Sequence, residues 1–140
     1  MSKIFLLIVE DHEIFSDALI DLLGKDDKLQ IAGVARSAEE CLKKLEGINV
    51  DLVLIDVSLP SIDGISLVKL IHDRFPNLLC LMISAYLSPE YVRDSLQAGA
   101  LGYLIKDDPA AILEGIWSVV SGKKYISKEF DDIDLGFLPS

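Results

Sequence analysis

Apolar runs and amphipathic stretches alternate along the chain. The runs are IFLLIV (4–9), LQIAGVA (29–35), DLVLID (51–56), LLCLMIS (78–84) and LGYLIK (101–106). Most are apolar on both faces and bounded by charge, Gly or Pro, the pattern of a parallel strand covered on both sides. Between them lie helix-length segments. The first, 12–24, carries Phe15, Leu19, Leu22 and Leu23 at helical spacing and closes at Gly24. The second, 37–47, opens with Ser37 and Glu40, a capping-box pair, and stops at Gly47. The third, 64–74, ends before Pro76; the fourth, 88–98, opens with Ser88-Pro89 and ends at Gly99. The fifth, 108–121, has Pro109 near its start and then Ile112, Leu113, Ile116, Val119 and Val120. Five strands alternating with five helices predict an α/β, doubly wound (βα)5 fold on a five-stranded parallel sheet with right-handed crossovers. The last stretch, SKEFDDIDLGFLPS, has no clear period. The expected division is therefore a domain over 1–126 and a C-terminal tail or linker over 127–140.

Polar residues close these runs. Strand one ends on Glu10-Asp11, strand three on Asp56, strand four on Ser84 and strand five on Lys106. Sheets of this class bind ligands beyond the carboxyl ends of their strands, so the fold brings all five to one rim. Each has a bland alternative: Asp56 as a capping aspartate, Glu10-Asp11 as a helix start, Lys106 as a solvated charge. Together they are hard to explain by packing. Like charges a few ångströms apart repel and raise one another's pKa, and a divalent cation removes that cost. Oxygen ligands suit Mg²⁺, which takes one or two carboxylates plus waters and phosphate oxygens. The cluster thus points to Mg²⁺ and a phosphoryl group, with Lys106 and Ser84 contacting phosphate oxygens and Asp56 as nucleophile, forming an acyl phosphate.

Composition narrows the reading. The 140 residues, about half of them hydrophobic, suit one domain, and the net charge of −10 argues against nucleic-acid binding by this stretch itself. No apolar run approaches the ~20 residues of a membrane span, and KIFLLIV leads at once into EDHE rather than into a cleavage site. Cys41 and Cys80 lack metal-ligand spacing and read as reduced packing residues. The expected compartment is the cytoplasm, with no membrane contact. His12 reads as a surface residue beside the site by accident of sequence, and His72 as a solvated one. Trp117 falls off the apolar stripe of the fifth helix.

The segments VEDHEIF (9–15), LVLIDVSLPSIDGI (52–65), LMISAY (81–86) and AGALGYLIKD (98–107) together resemble the receiver domain of two-component response regulators, most closely the NarL/LuxR type. The resemblance covers about residues 3–126. It implies a flavodoxin-like (CheY-like) sheet of order 2-1-3-4-5. It implies Asp56 as phosphoacceptor, Asp11 as direct Mg²⁺ ligand, Glu10 as the acid holding the ion through water, and the backbone carbonyl of Ser58 completing the metal shell. Ser84 matches the switch hydroxyl, Lys106 the conserved-type lysine, Tyr103 the switch aromatic, and Pro60 and Gly64 the turn after the acceptor. The implied partner is a sensor histidine kinase; the implied response is a shift of loop four, with Tyr103 moving into the vacated space. Homodimerisation on phosphorylation is expected. DNA binding would come only through a C-terminal helix-turn-helix domain, which these 140 residues do not contain. The chain is thus expected to be either shortened or a receiver acting alone. Ser58 and Tyr86 should flank the path of a hydrolytic water, and neither is an acid or amide that would orient it. Slow self-dephosphorylation is expected.

Other classes compete. A phosphatase of the haloacid-dehalogenase type also uses a strand-end aspartate with Mg²⁺, but needs a second acid two residues on, where Ser58 stands. A dinucleotide-binding or flavodoxin-type cofactor module needs a phosphate-cradling glycine loop after strand one, where the chain has EDHEIF. A receiver-like interaction module that is never phosphorylated remains the principal alternative. Beyond assisting its own phosphotransfer and dephosphorylation, the chain is not expected to be an enzyme.

Overall fold

The computed structural model describes residues 3–131. Its elements run β1 (Ile4–Val9), α1 (Glu13–Leu23), β2 (Leu29–Ala35), α2 (Ala38–Leu45), β3 (Leu52–Asp56), α3 (Gly64–Arg74), β4 (Leu79–Ser84), α4 (Pro89–Ala98), β5 (Gly102–Ile105), α5 (Pro109–Val120) and β6 (Tyr125–Ile126), followed by a 3₁₀ turn over Lys128–Phe130. All strand pairs are parallel, in the order β2-β1-β3-β4-β5-β6. The five expected strands and helices form within a residue or two of their predicted limits, in the expected order.

Alternation of side chains along the strands separates two apolar layers. Leu7, Val9, Val53, Ile55 and Met82 face α2, α3 and α4 through Cys41, Leu67, Val68, Ile71 and Val92. Leu6, Ile8, Leu52, Leu54, Leu81 and Ile83 face α1 and α5 through Leu19, Leu23, Ile112 and Ile116. Each fully buried Leu or Ile contributes roughly 1.5–3 kcal/mol, so both faces must stay covered. Cys41 and Cys80 are buried free thiols in the first layer, and burial pushes both up to about 12. They are packing residues, as expected.

The helix starts are set locally. Ser37, Asp63, Ser88 and Asp108 accept the backbone N–H three residues on. Glu40, expected to return to its own cap residue, reaches the N–H of Arg36 instead, one position earlier. Gly99 ends α4 at φ +119°, a conformation that favours glycine.

The sixth strand is the departure. After α5 the chain returns along the free edge of β5, pairing Gly102 with Tyr125 and Tyr103 with Ile126. The expected division at 126/127 does not coincide with the limit of the packed core: Ser127 is fully buried and Phe130 nearly so. Both lie in the stretch that shows no hydrophobic period, because a short strand plus one turn is too brief to display one. Residues 132–140 of the expected tail lie outside the described residues.

Gly64 shows how tightly β3 is placed. A Cβ there would lie 2.1 Å from the backbone oxygen of Asp56 and 2.9 Å from Val57 Cα. Gly64→Ala must therefore displace the strand end that carries Asp56. It should lose about 2–3 kcal/mol of stability in urea denaturation, while Gly47→Ala, where a Cβ meets nothing within 4 Å, should stay within about 0.5 kcal/mol of wild type.

Candidate functional site

Five strand ends meet at one rim. Asp56 closes the central strand β3 and is buried, with 2% of its surface accessible. Its Oδ2 accepts a hydrogen bond from Lys106 Nζ at 3.0 Å, and its Oδ1 accepts from the N–H of Ser58 at 3.0 Å. Lys106 follows β5 and also lies 2.8 Å from Glu10 Oε1, its ammonium 4.4 Å above the centre of the Phe15 ring. Glu10 is wholly buried at the end of β1. The Lys106 contact is an ion contact without hydrogen-bond geometry, so Glu10 Oε1 is buried with no hydrogen-bond partner. Asp11, next in the chain, is exposed at the mouth.

His12 joins this group. Its Nδ1 lies 3.1 Å from Glu10 Oε2, 3.3 Å from Asp11 Oδ1 and 4.0 Å from Asp56 Oδ2. The ring is exposed, as the sequence suggests, but it is turned into the cluster. Ligand atoms of Glu10, Asp11, His12 and Asp56 all fall within 4.8 Å of one another. Three hard carboxylates, one with a buried unpaired oxygen, fit a divalent cation such as Mg²⁺.

The electrostatics follow from burial. Asp56 is pushed up to about 6, first by burial and then by the neighbouring Glu10 carboxylate, with the Ser58 N–H and Lys106 working against that rise. Burial also acts upward on Glu10, but Lys106, Asp56 and the His12 N–H outweigh it and leave Glu10 below its usual range. Of the two carboxyls, Asp56 is the one whose charged form its surroundings disfavour. For Lys106, burial opposes the charged form and the two carboxylates overcome it, so its pKa is raised.

A second chain of contacts leaves the site through β4. Ser84 is buried, and its Oγ accepts from the N–H of Tyr86 at 2.9 Å. Tyr103 on β5 donates its hydroxyl proton to the carbonyl of Tyr86 at 3.1 Å. Its ring is fully buried, and burial raises the phenol to about 12. The Tyr103 ring is packed inward in this structure. Tyr86 is half exposed, its ring packed edge-on against Tyr91 with centroids 6.2 Å apart.

Strand two also ends at this rim, and sequence reasoning passed over it. Arg36 Nη1 donates to the backbone carbonyl of Glu10 at 3.1 Å and to buried Ser16 Oγ at 2.7 Å. Ser16 in turn donates to the carbonyl of Glu13 at 3.0 Å. Arg36 so ties the acidic loop to the first turn of α1. Its place one residue beyond an apolar run was the available signal. A hollow of about 650 Å³ opens at the opposite ends of the strands between Leu45, Val50, Phe75 and Leu79, and none of the carboxylate cluster lines it.

Comparison with known proteins agrees with this geometry. The sequence profile described as "Response regulator receiver domain" matches residues 6–116. The chain is 40% identical over 107 residues to the DNA-binding transcriptional activator DevR/DosR of Mycobacterium tuberculosis, covering 76% of this chain and 48% of that protein. It is 28% identical over 126 residues to the transcriptional regulatory protein DegU of Brevibacillus brevis, covering 89% and 53%. Among solved structures, a LuxR-family two-component response regulator from an Aurantimonas species superposes with a TM-score of 0.89 at 23% identity, over 93% of this chain and 94% of that one. The chain belongs to the response regulator receiver domain family: it is a receiver domain of the two-component type, and the two sequence relatives named above are transcriptional regulators. It spans about half the length of these two relatives. Among the described residues no helix is long and apolar enough to cross a membrane.

The pair of buried acids has a pH signature. Asp56 holds its proton up to about 6 in the folded chain but only to about 4 when unfolded. The folded state therefore binds more protons between these values, and this stabilising difference, complete below pH 4, is lost as pH rises through 6. Asp56→Asn cannot ionise and escapes the loss. Without Mg²⁺ it should be more stable than wild type at pH 7.5 by roughly 1–2 kcal/mol, a figure discounted for the opposing effect on Glu10. The gap should close toward pH 4 in thermal melts.

Proposed function

We propose that the chain is a phosphorylation-controlled switch whose acceptor is Asp56, with a sensor histidine kinase as donor. The observation that carries this reading is the buried carboxylate of Asp56 held 3.0 Å from Lys106 and beside Glu10 at the end of the central strand. Glu10, Asp11, Asp56 and the backbone carbonyl of Ser58 would hold Mg²⁺, which supplies charge neutralisation for the incoming phosphoryl group. An Asp56 oxygen attacks phosphorus, the P–N bond of the donor phosphohistidine breaks, and its electron pair returns to the imidazole. Lys106 is then free to pair with an oxygen of the transferred group rather than with the bare carboxylate. Ser84, whose buried hydroxyl oxygen accepts the Tyr86 N–H, donates its proton to another.

The switch rests on the same contacts. Turning Ser84 toward a phosphoryl oxygen disturbs its bond with the Tyr86 N–H, and the Tyr86 carbonyl is what holds the Tyr103 hydroxyl. The two sides of the equilibrium are this inward packing of Tyr103 and an outward one, and phosphorylation biases a pre-existing pair of states. The half-exposed Tyr86, Leu87 and Tyr91 around α4 would then contact a second copy or an output domain. Transcriptional output is read from the relatives, and the cytoplasm is the compartment consistent with a kinase donor. Turnover of a separate substrate is not part of this function.

Intact mass after incubation with acetyl phosphate and Mg²⁺ should show the gain of one phosphoryl group in wild type and none in Asp56→Asn. A gain in Asp56→Asn, or none in wild type with any donor, refutes the proposal; the second result favours an interaction module that is never phosphorylated. For the lifetime of the phosphoryl group, Tyr86→Ala should leave the half-life nearly unchanged or shorten it, because the large ring shields the water path. A several-fold longer half-life would show that the ring does no shielding.

A further inference from the structure

The segment after α5 runs as a strap along β5. Its backbone is bonded to β5 at each step: the Tyr125 N–H donates to the Leu101 carbonyl at 3.1 Å and the Ser127 N–H to the Tyr103 carbonyl at 3.0 Å. Ser127 Oγ, fully buried, accepts the N–H of Ile105 at 3.0 Å. Phe130 then turns into the core, its ring edge-on to Tyr103 with centroids 5.6 Å apart and planes at 90°. The rest of the fold makes room for this path. A Cβ at Gly102 would lie 2.3 Å from the Tyr125 carbonyl oxygen, and one at Gly115 would lie 3.1 Å from Tyr125 Cδ1. Both β5 and α5 therefore lack a side chain where the strap crosses them.

We infer that Ser127 and Phe130 are positioning residues of the switch, through which the strap Tyr125–Phe130 latches Tyr103 inward and docks or loosens with the state of Asp56. The inference rests on the functional reading above. A continuous set of contacts links the two: Ser84 Oγ to Tyr86, Tyr86 to the Tyr103 hydroxyl, and the Tyr103 ring to Phe130. If a phosphoryl group at Asp56 favours one position of Tyr103, it favours one position of the strap to the same degree, and a docked strap favours phosphorylation in return. The state of the site then leaves the domain by covalent continuity through Asp131, not only by a change of surface around α4.

Two readouts separate the latch from the chemistry. In the metal-free protein labelled with 3-fluorotyrosine, the Tyr103 resonance, assigned with Tyr103→Phe, should move toward the solvent-exposed position in Phe130→Ala and stay near wild type in Phe130→Tyr. Ser127→Ala, which keeps the ring contact, guards against a variant that fails to fold. It should speed exchange of the Ile105 amide at least tenfold. Beryllofluoride with Mg²⁺ should change exchange of the Tyr125 and Ser127 amides at least fivefold in wild type and less than twofold in Phe130→Ala, and Phe130→Ala should slow labelling by acetyl phosphate several-fold. An unmoved Tyr103 resonance in Phe130→Ala overturns the latch. Strap amides indifferent to beryllofluoride in a wild type that takes up acetyl phosphate overturn the coupling. A wild type that takes up no phosphoryl group overturns the functional reading and the coupling together, and the Tyr103 resonance still decides the latch on its own.

Discussion

One ammonium between two buried carboxylates organises this molecule. Lys106 Nζ sits 2.8 Å from Glu10 and 3.0 Å from Asp56, and those three residues end β5, β1 and β3. Burial alone would drive each of these groups toward its neutral form. They stay charged, or nearly so, by serving one another, but the sum is unbalanced: two carboxylates and one cation, with Asp11 adding a third acid at the mouth. The excess falls on Asp56, whose carboxyl is pushed up to about 6. A site of this kind is under standing electrostatic stress, and added positive charge relieves it. The same stress makes Asp56 a poor structural residue and a good place for reversible chemistry.

The remainder of the fold keeps that stress in place. Parallel strands covered on both faces give no freedom to the ends that carry the acids, and Gly64 lets α3 begin directly against the backbone of Asp56. Arg36 holds the carbonyl of Glu10 and the first turn of α1 together, so the acidic loop cannot relax away from the lysine. From the site a hydroxyl, a loop carbonyl and a buried ring are linked in series, Ser84 Oγ to the Tyr86 N–H and the Tyr86 carbonyl to the Tyr103 hydroxyl.

Most of this was legible in the sequence, and the exceptions have physical reasons. Apolar runs closed by polar residues located the five strands, and the rim then followed from the rule that parallel strands present their carboxyl ends together. Asp56, Glu10, Asp11, Ser84 and Lys106 were found because each interrupts hydrophobicity at the same place in its element. Arg36 sits at the equivalent place on β2, but its part is to brace the Glu10 carbonyl and Ser16, contacts that no spacing in the sequence displays. His12 was placed on the surface correctly, yet its ring turns toward Glu10 and Asp11 beside it in the chain and toward Asp56, which only the fold brings near. The strap was invisible for another reason. A two-residue strand gains its identity from the free edge of β5, and Phe130 from the ring of Tyr103, so neither leaves a local pattern.

The most direct measurement is the titration of the Asp56 carboxyl carbon by NMR in the metal-free protein. The expected midpoint is about 6, falling when Mg²⁺ is added at fixed pH as the carboxylate becomes ionised. A midpoint near 4, the value of an ordinary exposed aspartate, with no response to Mg²⁺, would contradict the electrostatic stress on which the switch depends.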